Sequence, residues 1–237
     1  MGTTAFSYSA KSELPSAAHC FLATVGPLSA TGTSSIHLSA LSSIAGIAVG
    51  MAVTGTNVAA TVVSVLVSQT AVDLALATTG APSAVYFTGD VFKILLIKVS
   101  PGGTYAGGQT NVGTPATGAP TLTDVGTDEV ANGSGYTTNG FTLTNISPLT
   151  GSTAGYWSFS ANPSWTSASF STTGANIYNS SLRLGAAANG ITANAGGSAI
   201  NRCISYHDFG GTQTVASGTF TILLPTNAQG TSILQLS

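Results

Sequence analysis

His207-Asp208, at the end of an apolar stretch, sets an imidazole beside a carboxylate, the residue types that an acid–base group and its orienting partner require. Ahead of Gly210-Gly211, the same pair also reads as a strand end whose polar side chains bond the backbone of a turn. His19 next to Cys20 has the types of a thiolate nucleophile and its base. Activation needs a fold that brings base and thiol into hydrogen-bond geometry, which adjacency in sequence does not supply, so a packed turn is the default. Asp124, Asp128 and Glu129 form the one acidic cluster, and their spacing lacks the alternating oxygen ligands of a calcium loop. Gly133-Ser134-Gly135-Tyr136 resembles the opening of a phosphate loop, but no helical pattern follows and a glycine turn accounts for it. No G-x-S-x-G elbow, H-E-x-x-H helix, Walker-A loop or G-x-G-x-x-G fingerprint occurs. The expectation is a non-enzymatic chain with no catalytic residues, no cofactor and no metal site.

The composition says more than the motifs. Five basic and seven acidic side chains serve 237 residues, so that 5% of the chain is charged, against about 25% in an ordinary globular domain. Thr, Ser, Gly and Asn fill much of the remainder, and a surface of hydroxyls and amides resists association poorly. Such a chain reads as a part made to pack against neighbours. A net charge of −2 without any Lys/Arg cluster argues against nucleic acid as a partner. Cys20 and Cys203 are distant in sequence and lack metal-ligand spacing; they read as two free buried thiols or, alternatively, as one long-range disulfide.

Mean hydropathy is +0.37, yet the longest run without polar side chains, residues 44–53, is too short to span a bilayer. Residues 1–10 contain no Lys or Arg, so no secretion signal is expected, and neither is a membrane partner.

The elements that would carry these residues are strands. Residues 11–20 suggest the one helix, with Ser12 as its cap and Pro15 near the first turn. Elsewhere β-branched residues recur in short runs between Gly, Asn, Ser and Pro, the pattern of a sandwich or barrel. Strands are expected at 36–38, 51–54, 61–67, 71–76 and 84–88, after a Thr/Gly/Ser-rich joint at 29–35, and together they read as an inserted module. Residues 91–99 form an apolar run broken by Lys93, as in a strand covered on both faces. Residues 102–120 offer almost nothing to bury and read as a polar arm that a neighbouring subunit would have to order. Further strands are expected at 141–143, 156–160, 167–170, 175–178, 202–209, 219–224 and 232–236. The aromatics gather there, and Trp157, Phe159, Trp165 and Phe170 are expected to fill the main core. An alternative places some of Tyr136, Tyr156, Trp157 or Trp165 on an exposed face that stacks on sugar rings.

An ordered series of segments carries a resemblance: Asp90-Val91-Phe92-Lys93-Ile94-Leu95-Leu96, Asp128-Glu129-Val130-Ala131-Asn132-Gly133-Ser134-Gly135-Tyr136, Ala175-Asn176-Ile177-Tyr178-Asn179, and His207-Asp208-Phe209-Gly210-Gly211 with Gly218-Thr219-Phe220-Thr221-Ile222. It resembles a family of tailed-bacteriophage virion structural proteins, whose short lysine-containing opening and histidine turn are matched by Ala10-Lys11-Ser12-Glu13-Leu14 and His19. The inserted stretch falls where the resemblance has a gap. It looks like a small β module of phage fibres and decoration proteins, through Val49-Gly50-Met51, Thr54-Gly55-Thr56 and Thr61-Val62-Val63. The resemblance implies a β-sandwich virion component without catalytic residues.

The resulting expectation is a mostly-β protein: residues 1–32 and 88–237 make one discontinuous β-sandwich, and residues 33–87 an inserted small β module, with at most one short helix. Its expected function is capsid decoration or cement, docking on the major capsid protein or other virion proteins and self-associating in a symmetric assembly within the virion. The alternative is a tail or head fibre module that binds host surface glycan.

Overall fold

The apolar run at 91–99 supplies an inner strand of the main sheet, as a segment buried on both faces must. The computed structural model describes residues 4–13, 19–98, 105, 107–181 and 201–236. In chain order the elements are β1 (Thr4–Phe6), α1 (Tyr8–Glu13), β2 (Val25–Leu28), β3 (His37–Leu38), β4 (Ala52–Thr56), β5 (Val58–Ser68), β6 (Ala71–Leu74) and β7 (Ser83–Thr88). There follow β8 (Phe92–Ile97), β9 (Phe141–Thr142), β10 (Leu149–Thr150), β11 (Gly155–Trp157), β12 (Ser164–Asn179), β13 (Arg202–Thr221) and β14 (Leu234–Leu236). The protein is mostly β: among the described residues 48% lie in strands or isolated bridges and 4% are helical. Every strand pair is antiparallel.

The five-stranded sheet runs β1-β13-β12-β8-β9. Alternation along β8 sends Phe92, Ile94 and Leu96 to one face, where they meet Ala175, Ile177, Ile204, Trp157 and Phe159. A three-stranded sheet, β10-β11-β14, contributes Trp157 and Leu234 to that side, giving a sandwich-like pair of layers. Leu95 and Ile97 point to the opposite face and pack with Tyr105, Val112, Val125, Tyr178 and Cys203. This second face corrects the reading of residues 102–120 as an arm awaiting a subunit. Among its described residues, Tyr105, Gln109, Asn111 and Val112 are buried against the protein's own sheet. Apolar content hid this because polar side chains do much of the anchoring: Asn176 Nδ2 donates to Gln109 Oε1 at 2.7 Å, and Arg202 Nη1 to Asn111 Oδ1 at 2.9 Å.

Two long strands replace the four short ones expected at 167–170, 175–178, 202–209 and 219–224. β12 spans 16 residues and β13 spans 20. Glycine marks bulges here, not ends. At Gly174 a Cβ would lie 2.7 Å from the His207 carbonyl, and between the pairs Gly174–Asp208 and Thr172–Gln213 β13 carries extra residues around Gly210 and Gly211.

The six-stranded sheet, β2-β7-β4-β5-β6-β3, holds its own aliphatic core of Leu38, Met51, Val53, Val63, Val72, Val85 and Phe87. β5 serves both halves, pairing with β4 through Val58–Val62 and with β6 through Val63–Ser68. Its edge strands are drawn together beyond their ends, where Thr31 and Ser39 exchange two backbone hydrogen bonds of 2.9 and 3.0 Å. This sheet includes β2, which lies ahead of residue 33 and was expected in the sandwich. Gly26-Pro27 interrupts the period-two pattern there, although Val25 and Leu28 pack on the module's core. The joint at 29–35 therefore lies within the unit instead of before it.

The helix also differs from its expectation at 11–20. It occupies Tyr8–Glu13, Ser12 lies inside it instead of capping it, residues 14–18 fall outside those described, and His19 and Cys20 are not helical. Ser7 fixes its start, donating its N–H to Ile204 O at 2.8 Å and its hydroxyl to Gln109 O at 2.6 Å.

Candidate functional site

β13 leaves the cover of β1 after His207, and the layers part beside it. The opening is a groove of about 680 Å³ with Ile94 and Ala175 in its floor and Phe209, Phe220, Ile222 and Ile233 in its walls. His207 and Asp208 both line it. Their side chains serve different partners: His207 Nε2 lies 2.8 Å from Ser205 Oγ, while Asp208 Oδ1 accepts from the Gly210 N–H at 2.8 Å. No hydrogen bond joins the two. Burial pushes the His207 imidazole down to about 4, so it is neutral at pH 7. Ser205, two residues along the strand and on the same face, was not singled out by sequence, although period two was the available signal. It is buried and is not part of the groove wall, so the Ser205–His207 contact fixes a ring orientation inside the fold. Most of the side chains lining the groove are apolar, with His207, Asp208, Gln213, Thr221 and Ser232 among them.

His19 and Cys20 belong to a buried polar seam. His19 Nε2 lies 2.8 Å from Glu13 Oε2 and its Nδ1 lies 3.0 Å from Asn179 Nδ2. The amide N–H can only donate, so Nδ1 accepts and Nε2 carries the proton towards Glu13. Arg202 Nη2 closes on the other Glu13 oxygen. Burial raises the Glu13 carboxyl, but the hydrogen bonds from His19 and Arg202 outweigh it and hold the group below its ordinary range. Asp90 extends the seam, accepting from Cys20 N at 2.9 Å and Asn179 Nδ2 at 2.6 Å. The seam ties the chain together where it enters and leaves the six-stranded sheet, with Asn145 Nδ2 donating to Asp90 O at 2.9 Å. Cys20 packs in the aliphatic core and Cys203 in the core under the other sheet, and the two do not form a disulfide with each other. Burial raises Cys203 to about 12, which makes it inert as a nucleophile at neutral pH.

The acidic cluster is divided among three tasks. Asp124 Oδ1 accepts from Gly126 N at 2.7 Å, Asp128 Oδ2 accepts from Tyr105 Oη at 2.7 Å, and Glu129 Oε1 accepts from Tyr136 Oη and Asn139 N, each at 2.7 Å. Burial dominates at Glu129 and lifts its carboxyl to about 7 despite those two donors. Among the described residues no three His, Cys, Asp or Glu side chains converge on a point a metal ion could occupy. Gly133-Ser134-Gly135-Tyr136 closes a turn through hydrogen bonds between Gly133 and Tyr136 of 2.9 and 3.0 Å.

Tyr136, Trp157 and Trp165 are buried in the aromatic core, and Tyr156 is half-buried. A sugar-stacking face built from them is therefore corrected: with so few Leu and Ile in this half, the large rings are needed inside. Phe21 stacks on Phe92 at 4.8 Å, and Trp157 meets Phe159 edge-on at 4.5 Å. No helix among the described residues is long and apolar enough to cross a membrane. No family model, no curated protein and no solved structure matches the chain.

Proposed function

We propose that the chain is a non-enzymatic structural protein of a tailed-bacteriophage virion, a decoration or cement protein that docks on the major capsid lattice. One observation carries the reading: few charges reach the outside. Glu13, Asp90, Asp128, Glu129 and Arg202 are buried, Asp73, Lys93, Lys98, Asp124 and Asp208 are partly buried, and Lys11 is the one exposed charged residue among those described. Like-charge repulsion and a tightly held ionic hydration shell are what usually keep proteins apart, and this exterior has little of either. Val65, Leu66, Val67, Leu223 and Leu236 add exposed apolar area to it. The resemblance of the segments around Asp90, Gly133, Asn176 and His207 to virion proteins supports the same reading.

Stabilisation then comes from modest contacts repeated over many symmetric copies. Cryo-microscopy of intact particles tests this directly. Density for the chain on the capsid shell is the expected result, and density confined to the tail would overturn the capsid assignment.

A further inference from the structure

β5 outruns its neighbour. β4 pairs with it through Val58–Val62, and the last backbone contact on that side joins Val63 to Gly50 and Met51 by hydrogen bonds of 2.8 and 3.0 Å. From Ser64 to Ser68 the strand pairs with β6 alone, and among the described residues no backbone hydrogen bond reaches its other edge. Three successive side chains there, Val65, Leu66 and Val67, are exposed by 51%, 40% and 48%. Successive residues of a strand point to opposite faces, so both faces of this extension show apolar surface.

A free edge is a template for another strand. Of the devices that usually blunt one, this edge has bulges, between Val63 and Val65 and between Leu66 and Ser68, but neither lysine nor proline. No basic residue occurs between Lys11 and Lys93 and no proline between Pro27 and Pro82. Asp73, the one charge on the hairpin, lies on β6 and is hydrogen-bonded to His37.

The residues of the open edge also define the strand that fits it. Ser64-Val65-Leu66-Val67-Ser68 is the same in both directions. Two copies laid antiparallel about a two-fold axis at Leu66 set Ser64 opposite Ser68, Val65 opposite Val67, and Leu66 opposite its own counterpart. An isologous contact has this reciprocity. Hydroxyl then meets hydroxyl and β-branched side chain meets β-branched side chain, both favourable cross-strand pairs. The protein uses the hydroxyl pairing between its own strands, where Ser171 Oγ and Thr214 Oγ1 lie 2.8 Å apart.

We propose that the Ser64–Ser68 edge pairs with the same edge of a second copy, antiparallel and centred on Leu66, joining two six-stranded sheets across a two-fold axis. No charge stands in the new ladder, because Asp73 is one strand away from it. An interface this short is weak in dilute solution and gains strength where copies are already held side by side. The contact goes beyond the virion role proposed above and is measured without any particle.

The test is sedimentation equilibrium of the full chain, carried to about 1 mM, with Leu66→Lys and Leu66→Glu variants at this exposed position. Each variant alone sets like charges face to face at the axis and should associate at least about ten-fold more weakly than the unmodified chain. An equimolar mixture should regain association, because residue 66 meets its own counterpart and the mixed pair sets Lys against Glu. Backbone amide exchange within Ser64–Ser68 should slow as the unmodified chain is concentrated and stay constant in Leu66→Lys. A chain that stays monomeric throughout, variants that associate as the unmodified chain does, or a mixture that regains nothing would each overturn the proposal. Capsid binding by a chain that never self-associates would overturn this contact and leave the docking reading standing, whereas self-association without capsid binding would support the contact and count against that reading.

Discussion

The aliphatic core of the six-stranded sheet and the aromatic core of the sandwich solve the same problem with different materials. The first draws nearly all its buried residues from one continuous stretch, Leu38 to Phe87, and packs Val, Leu and Phe from its strands with Leu41, Ile47 and Met51 from the connecting loops. The second gathers Phe21, Phe92, Trp157, Trp165 and Ile204 from across the sequence, and its neighbouring loops are fastened by a buried seam of Glu13, His19, Asp90, Asn179 and Arg202. A local core needs only hydrophobic alternation. A core assembled from distant segments needs something to fix where each one lands, and a buried ion with defined partners does that at a cost in desolvation.

Breaking the seam is expected to have the largest effect and to fall on one side. Arg202→Ala leaves Glu13 and Asn111 buried without their cation, a loss of about 3–5 kcal/mol. Urea unfolding followed by near-ultraviolet dichroism of Trp157 and Trp165 should report that loss, while amide exchange within Met51–Phe87 changes little. Equal loss of protection in both regions would show that the two cores are one cooperative unit. Trp157→Ala and Phe87→Ala, one in each core, should each cost about 3–5 kcal/mol. Again the damage should stay on its own side.

The acid–base groups sharpen the contrast, since Glu129 and His207, whose shifts bring them into the range between pH 4 and 7, both belong to the sandwich. Glu129 is raised to about 7, so the folded protein holds its proton more tightly than the unfolded chain. Its contribution is therefore fully present below the ordinary carboxyl value of 4.5 and is lost as pH rises through 7. His207, lowered to about 4, works in the opposite sense: its contribution is present above the ordinary value of 6.5 and disappears as pH falls through 4. Thermal unfolding of Glu129→Gln should lose the decline between pH 4.5 and 7, and His207→Phe should lose the acid-side decline. The module's counterpart is a hydrogen-bonded pair, His37 Nδ1 with Asp73 Oδ1 at 2.6 Å on its exposed side. Asp73→Asn should change stability by less than about 1 kcal/mol, and a larger effect would mean the pair is structural.

The same contrast governs what the sequence made legible. Short β-branched runs such as those at 61–67 and 71–76 announced the module because each strand pairs with a near neighbour in the chain, whereas of the period-two set Val49, Met51 and Val53 only Val53 lies in a strand and Val49 is exposed. In the sandwich, the both-face burial of β8 was legible as an apolar run broken only by Lys93. Gly174 and Gly210-Gly211 looked like strand ends, because sequence does not distinguish a glycine that stops a strand from one that lets it bulge. Gln109 and Asn111 fell in the stretch read as a polar arm, because a polar side chain is satisfied inside only by partners the sequence places far away. The candidate groove was legible only as His207-Asp208. Its walls come from β8, β12, β13 and the segment before β14, and only the fold brings them together.

The most direct test of the proposed docking role is binding of the purified chain to bare capsids, measured as ionic strength is raised. A contact made by hydroxyls, amides and aliphatic side chains should hold its affinity within a few-fold from about 0.05 M to about 0.5 M salt, a range over which screening shortens to about 4 Å and charge-driven contacts weaken steeply. Affinity that collapses across that range, or no binding at any salt, would contradict the claim that this nearly ion-free exterior is a docking surface.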